Sequence, residues 1–90
     1  MTNENIADAF DQLGDLLEFQ GANAFRVRAY RRAARAVREL PESVRAIVDQ
    51  GTMPLTDIEG IGKDLAEKIH ELLTTGKLSQ LEKALAEVPG

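Results

Sequence analysis

The sequence predicts an all-α fold, a compact bundle of four to five short helices. Three observations carry this. The composition is rich in Ala, Leu, Glu and Arg, and aromatic residues make up only 4% of the chain, which is the usage of helical bundles. Apolar residues recur at three- and four-residue steps rather than in alternation. Glycine, asparagine and proline fall between these stretches, where helices start and stop.

The first helix is expected from about Asn3 to Gln20. Ile6, Phe10, Leu13 and Leu17 form its apolar stripe with Ala9 and Leu16 beside them, and Gly21 is its stop. Glu4, Asp8, Asp11, Asp15 and Glu18 fall on the opposite face. A second helix starts near Asn23, a good N-cap, and ends before Pro41. Val27, Tyr30, Ala33, Ala34 and Val37 face inward, and Arg28, Arg31, Arg32, Arg35 and Arg38 cluster on the other side. That arginine face also fits a plain solvated exterior. A short third helix spans about Glu42 to Gln50, with Val44, Ile47 and Val48 inward and Gly51 as stop. Pro54 breaks the loop that follows, and Thr56 is read as the cap of a single turn ending at Ile58. The fourth helix runs from Lys63 to about Thr74, with Leu65, Ala66, Ile69, Leu72 and Leu73 inward, and Gly76 ends it. The fifth begins at Ser79, which forms a capping box with Glu82, and continues through Leu81 and Leu85 to Val88. Pro89-Gly90 reads as the start of a linker, so residues 1–90 make one domain.

Composition narrows the function classes. There is no cysteine, hence no disulfide framework and no thiolate metal site, as expected in a reducing cytoplasm. No apolar run approaches the roughly 20 residues of a membrane span. Met1-Thr2-Asn3-Glu4 carries no basic segment of a secretory signal. The net charge is −4, yet all seven arginines lie between positions 26 and 45, against only two acids there. Residues 1–25 carry five acids and no base. A polyanion responds to the local patch, because screening limits distant charges to a reach of about 10 Å.

The most informative stretch runs from Leu55 to Ile69. Gly60 and Gly62 flank Ile61 immediately before a helix. Glycine permits positive φ and lets a phosphate approach closely. The N–H groups of Gly62, Lys63 and Asp64 have no intrahelical partner, and the helix dipole there favours an anion. Ile61 is expected to anchor the turn in the core, and Ala66 to allow close helix packing. A lone Gly-x-Gly would be read as a tight turn; here Ile58, Ile61, Ala66 and Ile69 extend the pattern.

This segment, at about residues 55–74, resembles the helix-hairpin-helix motif of DNA repair and replication proteins. Together with Phe25-Arg26-Val27-Arg28-Ala29-Tyr30-Arg31-Arg32-Ala33-Ala34, Leu40-Pro41 and Thr75-Gly76-Lys77-Leu78, it is similar to the N-terminal domain of family X DNA polymerases of the bacterial and archaeal type. The resemblance implies sequence-independent binding to the backbone of gapped or nicked DNA through Gly60, Ile61, Gly62, Lys63 and Asp64. It further implies a 5′-phosphate pocket formed by Arg26, Tyr30 and Lys68, and a role in base excision repair near the nucleoid. Polymerase catalysis lies in later domains of that family. No cofactor is required, although the backbone carbonyls of Thr56, Ile58 and Ile61 match positions that hold a sodium or potassium ion in related hairpins.

In eukaryotic members of the family the domain is also a deoxyribose-phosphate lyase, and Lys68 matches its Schiff-base nucleophile. Glu67 matches as well. Asp64, Gln80 and Thr56 stand where the lyases carry basic residues. A Schiff-base lysine must be neutral to attack. Asp64 one turn before Lys68 and Glu71 nearly one turn after it favour the ammonium, which makes Lys68 a surface lysine in an i,i+4 pair. His70, the sole histidine, reads as a surface residue. A third alternative is a protein–protein interaction domain, in which acidic first helices pair with arginine-rich second helices between molecules.

Overall fold

Seventeen residues, Asn3–Phe19, form α1. In the computed structural model, which describes residues 1–87, Thr2 caps this helix through a reciprocal box. The Asn5 N–H donates to Thr2 Oγ1 and the Thr2 N–H to Asn5 Oδ1, both at 3.1 Å. This cap was not anticipated, since asparagine replaces the usual Glu or Gln. Helix α2, Ala24–Glu39, starts at Asn23, whose side chain accepts from the Phe25 N–H at 2.7 Å. The other helices are α3, Val44–Gln50, α4, Lys63–Thr75, and α5, Ser79–Glu87, with one 3-10 turn at Leu55–Asp57 before α4. The described residues contain no strand.

Helices α1 and α2 pack side by side and α5 returns to α1. The expected apolar stripes meet in one core. Phe10, Ile6, Leu13, Val37, Val44, Ile69 and Leu78 are its largest fully buried side chains. The rings of Phe10 and Tyr30 tilt against each other at 6.1 Å, within the range of favourable aromatic pairs. Ala7 and Gly14 are also buried on α1, and Gly14 lies against α2. A Cβ on Gly14 would lie 3.7 Å from that of Tyr30.

Four local expectations are corrected. Helix α3 begins at Val44 rather than Glu42, and its N-terminus is capped from α1. Asn3 accepts from the Val44 N–H and donates to the Glu42 carbonyl, both at 2.8 Å. Thr56 lies inside the 3-10 turn and does not cap it; Pro54 occupies the cap position. Ser79 is the first residue of α5, and it donates from both its N–H and its hydroxyl to the Glu71 carboxylate instead of closing a box with Glu82. Leu85 is 45% exposed: Leu78, just before α5, and Leu81 within it meet the core, and Leu85 lies past them. Leu73 and Val48 are only partly buried. Val88 and Pro89-Gly90 lie outside the described residues.

Candidate nucleic-acid interface

The turn before α4 is held from below by apolar residues. Leu55, Ile58 and Ile61 are all buried, and the Ile61 N–H closes the turn onto the Ile58 carbonyl at 3.0 Å. Gly60 has φ +95°, in the region that disfavours side chains. It also packs on α2: a Cβ there would lie 3.2 Å from Arg32 Cγ and 3.5 Å from Ala36 Cβ. Gly62 differs from the expectation of positive φ. Its backbone is extended, at φ −84° and ψ 179°, and nothing lies within 4 Å of where a Cβ would be. Gly60 makes the bend, and Gly62 leaves the mouth of the helix clear.

No side chain caps α4, so the N–H groups of its first turn face an open approach, at the positive end of a 13-residue dipole. Gly62, Lys63 and Asp64 are all exposed there, and Ile61 sits beneath them. Lys63 makes no ion pair among the described residues. Asp64 pairs with Lys68, Nζ to Oδ2 at 3.1 Å.

The structure brings Lys68 and Tyr30 near each other, but not as an exposed pocket. The Lys68 ammonium lies 6.0 Å from the centre of the Tyr30 ring. The lysine side chain is only 15% exposed, which corrects its reading as a surface lysine. Tyr30 is 3% exposed, and its hydroxyl donates to Gln80 Oε1 at 3.3 Å. Arg26, one turn before Tyr30, is exposed and has no salt-bridge partner among the described residues. Glu71 does not pair with Lys68; Ser79 occupies its carboxylate. The Ser79 hydroxyl, and after it the Ser79 N–H, hold the Glu71 carboxyl below the usual carboxylate range. His70 is exposed, and no cluster of potential metal ligands occurs among the described residues.

The arginine face of α2 splits in two, which the sequence reading missed. Arg38 reaches three carboxylates of α1: Asp8 and Asp11 at 2.6 Å and Glu4 at 3.2 Å. Arg31 reaches Asp15 at 2.9 Å and Glu18 at 3.8 Å. Both guanidinium groups are held more firmly charged than usual, Arg38 chiefly by its bond to Asp11 and Arg31 by its bond to Asp15. Pairs run in opposite order along the two helices, as an antiparallel packing requires. The acidic α1 and two arginines of α2 therefore pair within one molecule. The matched spacing of Glu4, Asp8 and Asp11, once the two helices are taken as a hairpin, was the available signal. Arg45, on α3, donates to the Leu73 carbonyl at 2.9 Å. Arg28, Arg32 and Arg35 remain exposed without a carboxylate partner among the described residues.

No helix among the described residues is long and apolar enough to cross a membrane. A family model described as a helix-hairpin-helix domain matches residues 1–78. The chain is 32% identical over 89 residues to the DNA polymerase/3'-5' exonuclease PolX of Bacillus subtilis (strain 168), a match that covers 99% of this chain and 15% of that protein. It is 35% identical over 80 residues to DNA polymerase lambda of Arabidopsis thaliana, covering 89% of this chain and 14% of that protein. The chain thus spans about a seventh of the length of these relatives. Its buried Ile61, its Gly60 bend and its uncapped α4 are the parts of a hairpin, and the chain belongs to the helix-hairpin-helix domain family, with family X DNA polymerases among its relatives.

Proposed function

We propose that this chain binds DNA through backbone phosphates and grips a gapped or nicked duplex beside its 5′ phosphate, as one domain of a family X repair polymerase. The observation that carries the reading is the uncapped N-terminus of α4, cleared by Gly62 and anchored by Ile61. A phosphate there accepts from backbone N–H groups and gains from the dipole. Such contacts position a strand without reading its bases. Lys63 adds charge at the mouth, whereas Asp64 opposes a phosphate and keeps binding weak. Arg26 stands one turn before Tyr30 on α2 with no salt-bridge partner among the described residues, and its planar fork suits a terminal phosphate. The carbonyls of Thr56, Ile58 and Ile61 lie in the turn that would hold a monovalent cation.

Titration of gapped DNA with and without a 5′ phosphate tests this. Binding is expected in the non-specific range of roughly 10⁻⁴ to 10⁻⁶ M, to fall with salt, and to be insensitive to scrambled sequence. Arg26→Ala should remove most of the preference for the phosphorylated gap. Affinity that tracks base sequence in high salt would overturn the reading.

A further inference from the structure

Arginines on α2 fall into rows with different fates. Arg31 and Arg38 lean toward α1 and are neutralised by its carboxylates. Arg28, Arg32 and Arg35 stand at i, i+4 and i+7, a single line along the helix. All three are exposed, and no carboxylate lies within ion-pair distance of them among the described residues. With Arg31 they line an open cleft of about 260 Å³ that has no other wall residue. Like charges at i,i+4 repel and weaken an isolated helix, so this row works against stability.

We propose that Arg28, Arg32 and Arg35 form a second phosphate-binding surface, which takes the DNA backbone as it continues past the hairpin. The inference rests on the hairpin's binding DNA, and extends the contact to a separate helix. Continuity carries it. The Gly60 bend sits directly on the stem of Arg32, so the middle arginine of the row adjoins the phosphate-facing turn. Seven residues of helix span about 10 Å, the axial length of about three phosphates on one strand at about 3.4 Å each. Arginine forks suit phosphate oxygens, which they can hold in pairs. Arg28 is braced by the exposed Phe25 ring, 5.9 Å from its guanidinium carbon. Glu39 and Glu59 face Arg32 and Arg35 across a neighbouring cleft, and they repel a strand from that side, so the open path runs toward Arg28.

The test compares the 90-residue chain with Arg28→Gln/Arg32→Gln/Arg35→Gln and, separately, Gly62→Glu. Glutamine keeps helix propensity close to that of arginine, and circular dichroism checks that each variant folds. Affinity for a duplex of about 20 base pairs is measured across a salt series; at about 0.9 per phosphate contact, the triple variant should lose about 2 to 3 from the slope of log affinity against log salt. Its affinity for a duplex of about six base pairs, long enough for the hairpin only, should change much less. Gly62→Glu should weaken both duplexes, because it puts a carboxylate at the α4 mouth. An unchanged slope in the folded triple variant, with Gly62→Glu impaired, overturns the second surface and leaves the hairpin reading standing. Undiminished binding by Gly62→Glu overturns the hairpin reading, and with it the continuity argued here.

Discussion

Two glycines one residue apart do different jobs. Gly60, at φ +95° and against Arg32, needs the freedom that only glycine has without strain. A side chain in a left-handed conformation costs about 1–2 kcal/mol. Gly60→Ala should therefore lower stability by about that amount, read from thermal or urea unfolding. Gly62 is extended and open, so Gly62→Ala should stay within about 0.5 kcal/mol of the parent. Equal losses at both positions would contradict this division. Lys68 poses the chemical question. Its side chain is largely buried, with the ammonium 6.0 Å from the centre of the Tyr30 ring, yet that ammonium is held by Asp64 at 3.1 Å. Borohydride trapping on DNA that bears a 5′ abasic sugar phosphate should accordingly be slow, and should persist in Lys68→Ala through other amines. Asp64→Lys should raise the rate by removing the ion pair and adding a cation near the phosphate. Fast trapping by the parent, abolished by Lys68→Ala alone, would make the domain a lyase.

Between elements, side chains from one helix complete the ends of another. Asn3 of α1 serves the α3 N-terminus, where the local Ser43 makes no cap bond. Glu71 of α4 receives the first N–H of α5 and the Ser79 hydroxyl. The hydroxyl bond is the chief reason that the Glu71 carboxyl sits below its ordinary range. A carboxyl depressed in the folded state adds stability above its unfolded pKa and loses it as pH falls through the folded value. Ser79→Ala should melt below the parent at neutral pH. That gap should close as the pH drops through the carboxylate range, as followed by melting curves over a pH series. A constant gap would place the Ser79 contribution in packing instead. Neither arrangement could be read from a single helix, because local pattern assigns a serine before Glu82 to a capping box. What competes with that box is a carboxylate eight residues earlier, brought near by the α4–α5 turn.

Across the whole molecule, charge is sorted into a neutralised seam and a free basic row. The α1–α2 seam couples five carboxylates to Arg31 and Arg38. Exposed pairs are individually weak and screened by salt, but Arg38 is shared by three acids spaced one turn apart. Arg38→Ala leaves Glu4, Asp8 and Asp11 to repel one another. It should lower the melting temperature at low salt, and the difference from the parent should shrink as salt is raised. A salt-independent difference would mean that the arginine stem contributes by packing rather than by charge.

By itself the sequence determined the all-α class, the helix order and nearly the whole core, because apolar spacing and glycine or asparagine punctuation act over a few residues. It also located the hairpin, since Ile58, Gly60, Ile61, Gly62 and Ala66 form a contiguous pattern. Tertiary structure alone decided which glycine bends and which stays open, because that depends on α2 lying beneath Gly60. It likewise decided that Tyr30 donates to Gln80, that Lys68 is covered, and that two of the α2 arginines are neutralised while three remain free. Each of these turns on a neighbour more than 15 positions away, and residue spacing along one helix carries no information about which helix faces it.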